Sequence, residues 1–189
     1  MGKNTRDCFF SHIRQRSELC ADQGFLIDRT EDGGTSYSWG DSLVRIESVA
    51  KSLTALLEEP GQNVSILAKN SAQWVITDLG IMRAGHVSAP LFTTMTPEIF
   101  SYVMDFADIK VLFVGSADNW EGVKALVPSQ VQVITLPGVE AVDGALSFDE
   151  FVALGEDLEL PAAPDEDVPC SLIFTSGTTG KPKAVMHSQ

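Results

Sequence analysis

The sequence predicts an α/β fold with a mostly parallel sheet, flanking helices and an N-terminal β-hairpin. Three observations predict it. Short apolar runs of strand type, beginning with VSILA at Val64, recur between segments of helical periodicity. Helix-start signals stand ahead of those segments at Ser71, Thr96 and Ser147. The apolar runs are also all short, none approaching the ~18 residues of a membrane span. Strand, helix, strand, helix is the pattern of βαβ units, whose crossovers set successive strands parallel.

The elements follow in chain order. Residues up to about Ala21 read as a helix with a mixed face. GFLID and TSYSW, between Gly24 and Trp39, flank the turn-rich RTEDGG and predict the hairpin. Asp41 is placed to cap a helix whose apolar positions Leu43, Ile46, Ala50, Leu53 and Leu57 follow the helical period, and Pro60-Gly61 ends it. VSILA is the first strand of the alternation. Ser71 caps the helix AQWVITDLGIMRAG, which ends near Gly85, and SAPLF is the second strand. Thr96, Pro97 and Glu98 supply an N-cap, a proline at the first helical position and an acid at the positive dipole end. That helix carries Ile99, Val103 and Phe106 on one face. KVLFVG is a third strand, WEGVKALV a short helix and VQVITL a fourth strand. Ser147 and Glu150 form a capping box before FDEFVALG. Residues 155–169, GEDLELPAAPDEDVP, read as a solvated acidic connection. SLIFT then forms a fifth strand that runs into a polar loop.

Composition narrows the function classes. A chain of 189 residues can bury a real core, and its 44% hydrophobic and 21% charged content is that of a globular protein. The net charge of −13 argues against a nucleic-acid surface, which needs clustered Lys and Arg. Any anion site must be local, built from backbone N–H groups and a few lysines. Cys8, Cys20 and Cys170 are widely spaced and include no CxxC, which predicts reduced thiols and a cytoplasmic protein. The N-terminus lacks the apolar core of a signal peptide, and Arg6 breaks the myristoylation pattern that Met-Gly would begin. Nothing in the sequence marks a membrane-binding segment. His86 reads as a packed or capping histidine rather than a catalytic base, and Trp74 as helix packing.

The chemistry concentrates in SLIFTSGTTGKPKAVMHSQ, residues 171–189. Gly177 and Gly180 allow close approach of backbone to a ligand, and successive N–H groups in such a turn form an anion-binding nest. Thr175, Ser176, Thr178 and Thr179 add hydroxyls able to donate to phosphate oxygens or bind Mg²⁺. Lys181 and Lys183 add two cations, with Pro182 restricting the backbone between them. The whole follows a strand, and α/β sheets place ligands at the carboxyl ends of strands. The loop is not a Walker A motif: Gly177 and Gly180 stand too close, and Pro182 occupies the Ser/Thr position. It also fails the dinucleotide pattern G-x-G-x-x-G. Composition alone leaves open a flexible polar tail.

FTSGTTGKPKAV resembles the phosphate-binding loop of the adenylate-forming superfamily, the AMP-dependent synthetases and ligases. The upstream stretch from NVSILAKNSAQW to DIKVLFVG is similar to the first subdomain of acyl-CoA synthetases of the long-chain type, and the resemblance runs from about Gly24 to the end. It departs at Ala184, where the family signature has glycine. The resemblance implies a fatty acid–CoA ligase that uses ATP, Mg²⁺ and coenzyme A. Its carboxylate substrate attacks the α-phosphate of MgATP to give an acyl-adenylate and pyrophosphate, and coenzyme A then displaces AMP. It implies that Thr175, Ser176, Gly177, Thr178, Thr179, Gly180, Lys181 and Lys183 hold the phosphates, with Thr178 the Mg²⁺ hydroxyl and Lys183 supporting phosphate charge. Lys181 falls at a variable position of the signature.

The family's acid for Mg²⁺, ribose-binding acid, adenine-side aromatic segment, hinge and catalytic lysine all lie downstream of this loop. The expectation is therefore an N-terminal portion of the AMP-binding domain, residues 1–189, with its phosphate loop at 174–184, inactive by itself. The alternative is a non-catalytic nucleotide- or partner-binding module that retains the loop.

Overall fold

The computed structural model describes residues 9–29, 33–175 and 181–188. A helix, α1 (Phe9–Cys20), leads to a two-stranded antiparallel sheet of β1 (Gly24–Asp28) and β2 (Thr35–Ser38). This is the expected hairpin. Trp39, expected in its second strand, instead opens α2 (Trp39–Leu56), and its ring stacks on Phe25 at 3.8 Å. The cap of α2 is Ser38 rather than Asp41. Ser38 Oγ accepts from the Asp41 amide, and the Asp41 carboxylate accepts from the Ser38 amide. Asp41 thus completes a capping box from the third helical position.

The remaining strands form one seven-stranded sheet. They are β3 (Asn63–Leu67), β4 (Val87–Ser88), β5 (Val111–Val114), β6 (Gln132–Thr135), β7 (Leu146–Ser147), β8 (Pro169–Thr175) and β9 (Lys183–Ser188). Their order across the sheet is β7-β6-β5-β3-β4-β8-β9, parallel throughout except for the last pair. The connecting helices are α3 (Ala72–Arg83), α4 (Pro97–Phe106), the single turn α5 (Trp120–Val123) and α6 (Phe148–Ala153). Ser71, Thr96 and Ser147 cap α3, α4 and α6 as expected, and Glu150 closes a capping box on Ser147.

Two hydrophobic clusters sandwich this sheet. One joins Ile46, Val49, Leu53, Ile76, Phe113 and Phe151 beneath α1, α2, α3 and α6. The other joins Phe100, Val103, Met104, Leu112, Val114 and Phe174 beneath α4 and α5. Helices α2 and α3 pack closely because Gly80 has no side chain: a Cβ there would lie 2.4 Å from Val49 Cγ1.

Several sequence expectations are corrected. SAPLF contributes only Ser88 to the two-residue β4 and Leu91 to an isolated bridge with Leu67, since Pro90 has no N–H to give a ladder. Helix α4 buries Phe100, Val103 and Met104, while Phe106 is 56% exposed. Val103 is buried and Ile99 packs partly buried on the second cluster as expected, so Phe106 alone departs from the expected stripe. Strands β7 and β9 were not anticipated. The acidic connection is less detached than its composition suggests: Arg83 donates to the Pro161 carbonyl at 2.9 Å, and Leu160 packs on the first cluster.

Candidate phosphate-binding site

Three parallel strands, β3, β4 and β8, end on the same side of the sheet, and β8 delivers the polar loop there. Buried alternate residues Cys170, Leu172 and Phe174 anchor β8, so its register is fixed by the core. Thr175 is its last residue, exposed, and stands opposite Lys183 of β9. Its hydroxyl donates to the Lys183 carbonyl at 3.4 Å, pinning the neck of the loop. Phe174 pairs with Ala184, which packs partly buried against the second cluster. Thr175 and Lys183, expected within the loop, are thus strand residues at its two feet. Ser176, Gly177, Thr178, Thr179 and Gly180 lie outside the described residues.

Beyond the loop, Lys181 extends over Tyr102 of α4, its Nζ 4.8 Å from the ring centroid. Pro182 lies in a cleft of about 200 Å³ with Phe92, Met95, Ile99, Phe174 and Thr175. A second cleft of about 430 Å³ opens at the ends of β3, β4 and β8, lined by Lys69, Asn70, Trp74, Phe92, Thr93 and Ile173. Phe92, 59% exposed, is common to both clefts. Trp74 therefore combines its expected packing against the first cluster with a place in the cleft wall. Lys69 is held by Asp118 at 2.6 Å, which leaves Lys181 and Lys183 as the cations nearest the loop in sequence.

A buried polar group lies under β4 and β8. Ser88 Oγ donates to Asp78 Oδ1 at 2.5 Å. Burial pushes the Asp78 carboxyl above its usual range, and the Ser88 hydrogen bond opposes part of that rise. Burial, followed by the Asp78 charge, pushes the Cys170 thiol up. An elevated thiol is a poor nucleophile. His86 is 2% exposed, and burial lowers it to about 4. It is a packed neutral imidazole, in keeping with the sequence reading.

A larger cleft of about 960 Å³ lies at the ends of β5 and β6, between α5 and residues 138–144. Its single lysine, Lys124, is paired with Glu121 at 2.5 Å, and Glu121, Glu140 and Asp143 line the same space. That charge balance does not suit a polyphosphate. No helix among the described residues is long and apolar enough to cross a membrane. Sequence reasoning missed Tyr102 and Phe92. For Tyr102 a signal existed: it stands four residues before Phe106, aromatic spacing that puts both rings on one helix face.

The chain matches the family of AMP-binding enzymes over residues 13–189. It is 31% identical over 151 residues to the mouse long-chain-fatty-acid–CoA ligase ACSBG2, an alignment covering 74% of this chain and 23% of the relative. It is 33% identical over 156 residues to the chicken ligase of the same name, covering 74% and 20%. Among solved structures, the anthranilate CoA ligase AuaEII in complex with anthranoyl-AMP superimposes with a TM-score of 0.77 at 25% identity, covering 93% of this chain and 33% of that one. The Brucella canis acyl-CoA synthetase gives 0.75 at 23%, covering 91% and 32%, and bears on the fold alone. The chain belongs to the AMP-binding enzyme family. It spans between a fifth and a third of the length of these relatives.

Proposed function

We propose that this chain carries the phosphate-gripping portion of an ATP-dependent acyl-CoA ligase acting on a fatty acid. In that reaction the carboxylate attacks the α-phosphate of ATP, pyrophosphate leaves, and the thiol of coenzyme A displaces AMP from the acyl-adenylate. The loop's part is electrostatic. Ser176 to Gly180 would hold the β- and γ-phosphates, with Lys183 and Lys181 opposing the charge that builds on the departing pyrophosphate. The observation that carries this reading is the delivery of Thr175, Lys181 and Lys183 to the carboxyl edge of the sheet by the β8–β9 pair. The CoA ligases among its relatives support the reaction class.

Among the described residues no three His, Cys, Asp or Glu side chains gather as a metal cage. A Mg²⁺ ion would be held by the phosphates of the nucleotide with the Thr178 hydroxyl among its ligands, where it would neutralise phosphate charge. Spanning a third or less of its relatives, the chain alone is proposed to bind nucleotide without turning over.

The test is direct. The 189-residue chain should bind MgATP, and Lys183→Ala should weaken that binding about tenfold or more, the scale of a lost charge-assisted contact. Equal binding by both would remove the loop's assigned role. Carboxylate-dependent exchange of pyrophosphate into ATP should be absent from the chain alone. Sustained exchange would show the isolated chain to be a complete adenylating catalyst.

A further inference from the structure

Lys181 is the first described residue after the loop, and a ring rather than a carboxylate holds its ammonium. Nζ sits 4.8 Å from the centroid of Tyr102. Tyr102 is half-buried on α4 and stacks with Phe106, centroids 5.5 Å apart and planes 23° from parallel. The next residue, Pro182, lines the same small cleft as Ile99 of that helix. Lys181 thus contacts α4 through Tyr102, and Lys183 is fixed by its ladder position opposite Thr175.

The surrounding charge gives this arrangement a purpose. The chain has 26 acidic residues against 13 Lys and Arg, so an unrestrained lysine readily finds a carboxylate. Lys69, Lys110 and Lys124 each do, at 2.6, 2.7 and 2.5 Å, whereas among the described residues Lys51, Lys181 and Lys183 do not; of these three only Lys181 lies over an aromatic ring. An aromatic face attracts the ammonium without neutralising it, so the charge stays available to an incoming anion. It also limits the rotamers of a flexible four-carbon stem, which lowers the entropy lost when phosphate binds.

We infer that Tyr102 is a positioning residue whose ring seats the Lys181 ammonium at the exit of the loop, ready for a polyphosphate. The inference rests on the proposed reading of the loop as a grip for ATP. Lys181 stands at a variable position of the signature, so its use would be a property of this chain's own pairing with α4.

The test uses the 189-residue chain with MgATP as probe and four variants: Tyr102→Leu, Tyr102→Phe, Lys181→Met and the Leu/Met double. Loss of a surface cation–π contact corresponds to roughly a two- to fivefold change in affinity. Tyr102→Leu and Lys181→Met should each weaken binding by that factor, and the double variant no further than either. Tyr102→Phe, which keeps the face and loses only the hydroxyl, should bind as the unchanged chain does. A merely structural tyrosine would not show this rescue together with non-additivity. Proton NMR reads the contact without any ligand: the ε-methylene signal of Lys181 should be displaced upfield in the unchanged chain and the Phe variant, and relax in the Leu variant.

Additive losses, a Phe variant as weak as the Leu variant, or an undisplaced ε-methylene would each overturn the inference. Failure of the unchanged chain to bind MgATP would overturn the loop reading itself, and with it Tyr102's role toward phosphate. The displaced methylene would then show a seated lysine serving no nucleotide.

Discussion

At the centre of the sheet, β5 is buried along its whole length and β3 along all but its first residue, covered on both faces by the two clusters. At the β8–β9 end the pattern changes. Strand β8 alternates buried with half-buried or exposed residues, and β9 is exposed at every position except the half-buried Ala184. The same chain therefore builds a two-sided core and a one-sided edge. The polar loop hangs from the edge, whose inner residues Leu172 and Phe174 tie it to the centre. The buried centre and the proposed phosphate site thus lie on different strands, and substitutions should sort by which one they touch.

The largest expected effect lies at the centre. Phe113 is fully buried and meets Phe151 edge-on at 5.2 Å. Phe113→Ala should cost about 3–5 kcal/mol, the usual range for a buried phenylalanine, read as a lower urea midpoint. A loss below about 1 kcal/mol would mean that the centre is no more tightly specified than the edge.

Next comes acid sensitivity, set between the two regions by His86. Its Nδ1 is buried without a hydrogen-bond partner among the described residues, and its pKa falls from 6.5 to about 4. A base with a depressed folded pKa contributes stability that is fully present above pH 6.5 and is lost as the pH falls toward 4. The loss amounts to roughly 3 kcal/mol at most, given 1.36 kcal/mol per pH unit. Asp78 acts in the opposite sense, since its raised folded pKa makes protonation favour the fold. The comparison must therefore be with His86→Leu. The stability gap between the two chains should change between pH 7 and pH 4.5 in the variant's favour, and a constant gap would show His86 to be solvated.

The centre was also the more legible region. Apolar runs and capping residues located β3, β5 and β6 and the starts of α3, α4 and α6, because local rules and tertiary packing agree there. Strand β9 escaped notice since KAVMHS carries no strict alternation, and its antiparallel return depends on β8 being beside it. On α4 the sequence pattern correctly turns Val103 and Ile99 toward the core but misses Phe100 and Met104 and places Phe106 inside, since all five are apolar. Phe106 stays outside, where it stacks on Tyr102. The candidate loop was legible as a motif, whereas its seat on α4 was not. Contact between Lys181 and Tyr102 is a product of topology that no spacing within the loop encodes.

Helix caps give a finer test. The Ser38 hydroxyl accepts from the Asp41 amide at 3.1 Å within a full capping box, and Thr96 accepts from the Ile99 amide at the longer 3.4 Å. Ser38→Ala should cost about 1 kcal/mol and Thr96→Ala somewhat less. Thermal midpoints of the two variants decide the order. A larger loss from Thr96 would show α4, the helix whose Tyr102 meets Lys181, to depend on its cap more than α2 does.

The smallest effect belongs to the edge. Val185 is 44% exposed on β9 and pairs with Ile173, itself 37% exposed, so neither fills the core. Val185→Ser should change stability by no more than about 0.5 kcal/mol, as surface substitutions generally do. A β-branched residue replaced by serine weakens an outward-facing cross-strand pair without opening a cavity. If urea midpoints instead fell by as much as for Phe113→Ala, the outer face of β8 and β9 would have to be covered in solution, by a second copy or another surface. Sedimentation of the same two samples would tell these apart, because only a second copy raises the sedimenting mass and makes the midpoint rise with protein concentration. The midpoint is expected to be independent of concentration, which would leave β9 an open margin whose cost to stability is small and whose task is to hold Lys183 opposite Thr175.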